Sequence, residues 1–167
     1  MNKLVLLLTC ICLACTSSVF ASKKKKADED TFRFRYDIEY SKTAADGLLM
    51  VKVWSYSPKA NIATEQCRMN AVHGVLFKGY AASTSSASQK PLVKDASLES
   101  TRSDFFNAFF AENGPYMRYV SAVLDGSTEV RKVGKEYKVG VVVTVNKDML
   151  RKHLEEAGII KGLSSGF

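Results

Sequence analysis

The chain is expected to fold as one α+β domain: an antiparallel sheet of about four strands with helices packed on one face, in the order β-β-α-α-β-β-α. Three observations predict it. Phe32, Phe34, Tyr36, Ile38 and Tyr40 alternate with Arg33, Arg35, Asp37 and Glu39, the period-two pattern of a half-buried strand. Ala63, Cys67, Ala71 and Val75 recur at i, i+4 spacing, one stripe of a helix. Paired strands separated by helices, rather than alternating with them, argue against a parallel sheet.

The first strand is expected over Thr31–Tyr40, followed by turn residues at Ser41–Gly47 and a more apolar strand over Leu48–Tyr56. Together they predict an antiparallel hairpin. Ser57-Pro58 closes it, and a helix is predicted over Asn61–Lys78, its stripe widened by Met69, Val72 and Leu76. Gly74 inside that helix costs about 1 kcal/mol relative to alanine. Ala81–Leu98, rich in serine and alanine, reads as a long loop. A second helix is predicted over Ser100–Asn113, with Ser103 at its N-cap and Gly114-Pro115 at its end. Tyr116–Leu124 and Thr128–Val133 read as strand, interrupted at Asp125-Gly126, and Gly134-Lys135 as a turn. Tyr137–Val145 is a β-branched strand. Asn146 is expected to cap a last helix over Lys147–Ala157, with Met149, Leu150 and Leu154 on its apolar edge, His153 beside them and Gly158 at its end.

Ahead of this domain stands a leader. Lys3, an apolar run over Leu4–Ala14 and the small-residue ending Val19-Phe20-Ala21 form the three parts of a secretory signal peptide, cleaved after Ala21. The run is short for a membrane span, which takes about 20 residues. The division expected is therefore a signal peptide over 1–21, a charged tether over 22–30, the domain over 31–158 and a tail over 159–167. Export makes the protein periplasmic or associated with the outer envelope. Leu13-Ala14-Cys15 also partly matches a lipoprotein cleavage site, with Cys12 where a leucine-like residue usually stands. Lipidation at Cys15 would anchor the chain instead.

The net charge of +7 includes Lys3, so +6 remains after cleavage. The basic run Lys23–Lys26 is largely offset by Asp28, Glu29 and Asp30. It offers a contact to anionic lipid headgroups, and export argues against nucleic acid as a partner. Of the four cysteines, Cys10, Cys12 and Cys15 lie in the leader. Cys67 alone cannot form an internal disulfide, so the fold must rest on its core, with Cys67 a small buried hydrophobe.

No pattern points to catalysis. A Gly-rich phosphate loop is missing, and the one GxSxG match, Gly162–Gly166, lies in the short Gly/Ser-rich tail and not at a strand-to-helix elbow. His73 and His153 are far apart, and with Cys67 they do not make a metal-ligand cluster, so no cofactor is expected. Cys67 and His73, six apart on one helix, fall on different faces and do not form a nucleophile pair. The aromatic residues admit two readings. Phe105, Phe106, Phe109 and Phe110, like the strand-one aromatics, are spaced as core; exposed, they would be a contact for a partner protein or a ligand.

The run Leu49–Tyr56, leading through Ser57-Pro58 into the helix of Ala63, Cys67, Ala71 and Val75, is followed by a late hairpin. That hairpin ends in Tyr137-Lys138-Val139-Gly140-Val141-Val142-Val143 and a final helix. This layout resembles the small secreted domain at the N-terminal region of the flagellar T-ring protein and related short envelope lipoproteins. The resemblance covers Leu48–Val75 and Val120–Leu154; Ala81–Asn113 departs from it, being longer and richer in phenylalanine. It implies an assembly or adaptor role in the envelope and carries over no catalytic residue. The expected function is thus a non-enzymatic envelope protein that binds another envelope or secretion component. The alternatives are a module binding a lipid or hydrophobic small molecule and an envelope hydrolase.

Overall fold

A computed structural model describes residues 25, 29, 34–42, 44–45, 47–82, 88–121 and 126–162. The leader, its cleavage position and Cys15 lie outside the described residues, as do Lys23, Lys24 and Lys26 of the basic run; Lys25 is exposed.

The domain is α+β, built on a four-stranded antiparallel sheet. Strands β1 (Tyr36–Lys42) and β2 (Leu48–Ser57) form the N-terminal hairpin. Helix α1 (Ala60–His73) comes next and runs on into a π-turn over Gly74–Lys78. Short helices α2 (Leu98–Thr101) and α3 (Ser103–Phe109) precede a 3-10 turn over Pro115–Tyr119. Strands β3 (Glu129–Val133) and β4 (Glu136–Asn146) form the second hairpin, and α4 (Lys147–Glu156) ends the fold. The strand order is β1-β2-β4-β3, so the two most apolar strands pair at the centre and β1 and β3 are the edges.

Alternation along the central strands sets the two faces. Val51 and Val53 of β2 and Val139, Val141, Val143 and Val145 of β4 are fully buried beneath α1. The expected helical stripe supplies the other half of this core: Ala63, Cys67, Ala71, Val72, Val75 and Leu76 are at most 1% exposed. Met69 packs only partly against it. Leu150 and Leu154 of α4 are fully buried, whereas Met149 is 54% exposed and does not share their edge. Asn146 Oδ1 accepts the Met149 N–H at 3.0 Å, the expected cap.

Other expectations change. Strand β1 begins at Tyr36 because Phe34 takes φ +47, a left-handed conformation that turns the chain out of extended geometry; residues 31–33 lie outside the described ones. The expected second helix breaks at Arg102 (φ −115, ψ 35), so Ser103 opens α3 rather than capping it. The stretch 116–121 is not strand. Proline at the first helical position favours a helical turn, and the turn that Pro115 starts buries Tyr116 and Tyr119, three residues apart. Within this stretch Val120 alone makes a bridge, to Val145. The long loop is partly tied down: Tyr80 bridges Gln89, Leu92 and Val93 are buried, and their N–H groups donate to the Val75 and Leu76 carbonyls. Ile159, just beyond α4, is also buried in the core.

On the opposite face Trp54 lies over Gly140, its register partner. A Cβ there would sit 2.5 Å from Trp54 Cζ3. Gly140→Val is therefore expected to lower stability by about 1–3 kcal/mol by overpacking. Urea unfolding followed by far-UV circular dichroism measures it, with wild-type stability as the contrary result.

Candidate functional site

Two constellations stand out, one on each side of the sheet. The first is buried. Tyr36 at the start of β1 faces α1, His73 ends that helix, and Glu99 belongs to α2. Tyr36 Oη lies 2.6 Å from His73 Nδ1, and Glu99 Oε1 lies 2.9 Å from His73 Nε2. One tautomer satisfies both contacts. The phenol donates to Nδ1 and the Nε2–H donates to the carboxylate, so the ring is neutral. Phe34 stacks on the imidazole at 3.6 Å and 14°, and Phe77 and Phe110 close its sides. Gly74 lets β1 come this close: a Cβ there would meet Ile38 Cδ1 at 2.5 Å and the Tyr36 ring at 3.3 Å. The π-turn carries Lys78 back over the Tyr36 ring at 3.7 Å, where its ammonium donates to the Tyr36 carbonyl.

Hydroxyl, imidazole and carboxylate in line form the order of a nucleophile relay. The environment argues for a different use. Tyr36 is 5% exposed, and burial, with the Glu99 charge, pushes its phenol far above the ordinary range. A buried, protonated phenol is a poor nucleophile, and the network instead ties β1, α1 and α2 together. Cys67 is separate from it. Its thiol faces Ser55 Oγ at 3.3 Å, and burial pushes it up to about 11, so it stays protonated and inert.

Phe106 and Phe109 are buried in the core at 4% and 2% exposure, while Phe105 and Phe110 are half-buried against it. His153 of α4 lies against Phe105, Phe109 and Tyr119, with ring centroids 6.0, 5.8 and 5.5 Å away. Among the described residues, no group of His, Cys, Asp or Glu side chains is placed to hold a metal ion. No described helix is long and apolar enough to cross a membrane.

The second constellation occupies the outer sheet face, where the strand alternation leaves Trp54 and Tyr56 only partly covered. Lys52 (4.4 Å), Arg131 (5.1 Å) and Lys138 (5.2 Å) surround the Trp54 ring, and Arg35 (4.8 Å) and Lys138 (5.1 Å) the Tyr56 ring. Acids interleave with them. Trp54 Nε1 donates to Glu39 at 2.9 Å, Lys138 pairs with Asp37 at 3.1 Å, Arg35 with Glu136 at 2.7 Å, and Lys52 and Arg131 both reach Glu129. In sequence, the period-two pattern places Arg35, Asp37 and Glu39 on one face; that Trp54 shares it is set only by the register Asp37↔Trp54.

No family model, curated protein or solved structure matches the chain.

The buried network has two measurable consequences. Burial lowers His73 from 6.5 to about 4. Below pH 6.5 the unfolded chain takes up a proton that the native ring refuses. Stability is thus full above pH 6.5 and falls towards pH 4, by about 3 kcal/mol over that interval. Urea midpoints measured between pH 7 and 4 report it, and His73→Phe should flatten the dependence. Tyr36→Phe leaves Nδ1 buried without a donor and should cost about 1–3 kcal/mol at pH 7. An unchanged urea midpoint would show that the hydroxyl contributes nothing.

Proposed function

We propose that this is an exported, non-enzymatic cell-envelope protein that binds another envelope or secretion component, an assembly or adaptor protein. The observation that carries the reading is the outer sheet face. Trp, Tyr and Arg are the residue types that dominate binding energy at protein interfaces. Here Trp54, Tyr56, Arg35 and Arg131 share one partly covered sheet surface, with ion pairs along its length. Acidic and basic groups alternate across it, which suits a partner protein of mixed charge better than a uniformly charged polymer. The leader supports the envelope location. The resemblance of the sequence layout to the T-ring N-terminal domain motivates the assembly role. The half-buried Phe105 and Phe110 lie on the helical side, away from this surface.

The test places a photoreactive amino acid at Tyr56 in living cells and, as a control, at exposed Met149 on α4. A discrete adduct with an envelope protein is expected from Tyr56 and not from Met149, and Trp54→Ala should reduce it at least about tenfold, as loss of an interface hot spot does. Equal adducts from both positions, or none from Tyr56, would reject the surface. Recovery of the protein from the cytosolic fraction with its leader intact would reject export.

A further inference from the structure

Among the described residues, strand β3 ends the sheet, and all five of its residues are exposed. Edge strands are kept from pairing with another chain by several devices, repelling charges among them. In Glu129-Val130-Arg131-Lys132-Val133 the charges alternate in sign on one face, so the strand is complementary to itself when reversed.

The hairpin fixes which groups are free. Gly134 at φ +60 opens a two-residue turn, with Val133 opposite Glu136 as the closing pair. A glycine in that first central position is the mark of a II′ hairpin, whose closing pair exchanges both backbone hydrogen bonds. Alternation along the ladder then directs the Val133, Arg131 and Glu129 backbone groups to β4 and those of Lys132, Val130 and Thr128 outwards. Val130 pairs with Val139, which faces the core, so its side chain is on the helix side of the sheet. It is nevertheless 53% exposed.

We propose that β3 is a self-association edge, at which two copies pair β3 with β3 antiparallel about a twofold axis at Val130, joining two four-stranded sheets into one. This register sets Val130 against Val130 of the second copy, an exchange of two backbone hydrogen bonds that also covers both exposed valines. Thr128 and Lys132 meet as the next outward-pointing pairs. Between them, Glu129 faces Arg131 of the second copy, twice, in the closer, non-hydrogen-bonded positions where cross-strand side chains interact best. The neighbouring registers that keep the faces matched are disfavoured by charge. Shifted one way, Arg131 opposes Arg131; shifted the other way, Glu129 opposes Glu129. Registers of odd offset set outward backbone groups against inward ones and form no ladder. The pairing draws Arg131 and Glu129 from the outer face described above, where they already contact each other, but leaves Trp54 and Tyr56 outside the β3–β3 contact, so crosslinking from Tyr56 and self-association through β3 are read separately.

Sedimentation equilibrium on the purified, natively processed protein tests the proposal. The expected species has twice the mass of the chain. Arg131→Glu, which sets two acidic pairs across the axis, should weaken self-association at least about tenfold. Glu129→Arg should do the same with two basic pairs. Mixing the two variants should restore a dimer of one copy of each, since both cross-axis pairs are then opposite in charge. A protein that stays monomeric at its solubility limit overturns the proposal. So does a dimer indifferent to Arg131→Glu, or variants that fail to recombine while each retains the wild-type circular dichroism spectrum.

Discussion

Helix α1 lies close against the sheet because the residues at the contact are small. Ala63, Cys67 and Ala71 present almost no side chain beyond Cβ, and Gly74 at the end of the stripe presents none. Larger residues there would lift the helix off β2 and β4 and strand the valines beneath it in a half-filled layer. The same closeness delivers His73 to the Tyr36 hydroxyl and brings the π-turn over β1. The chain beyond α1 is organised from that point: α2 is held through Glu99, and the loop segment at Leu92 and Val93 attaches to the Val75 and Leu76 carbonyls. The expected cost of a glycine within a helix is offset here by the approach that it permits.

Much of this is legible in the sequence, and the reasons are physical. The central strands, the α1 stripe and the Asn146 cap are each specified by local pattern: alternation, 3.6-residue periodicity and a side chain that satisfies an orphan N–H. The segments that depart from expectation are those where local pattern and tertiary demand disagree. Tyr116–Tyr119 has strand-like composition, yet the preceding proline and the need to bury two tyrosines on one side draw it into a 3-10 turn. Phe34 continues a flawless alternation but leaves the extended conformation and stacks on His73. The four phenylalanines of 105–110 group together by spacing, but the break at Arg102 that orients them leaves no mark in composition.

The candidate sites are less legible still. His73 looks isolated in sequence because its partners are 37 and 26 residues away, joined only by the hairpin and by α2. The outer face is hidden for a related reason: Trp54, Lys138 and Arg131 come from three strands, and only the register Trp54↔Gly140 and Glu129↔Gly140 brings them together. The two sides of the sheet thus divide the labour. One buries a network that holds the helices, and the other presents aromatic rings among ion pairs.

Trp54 is the sole tryptophan of the chain, and it stands on the outer face between the sheet backbone and a collar of cations. The protein therefore carries its one strong intrinsic fluorophore at its surface. Its emission reports on what touches the sheet or rearranges the collar, while the core is followed through the tyrosine and phenylalanine bands of near-ultraviolet circular dichroism.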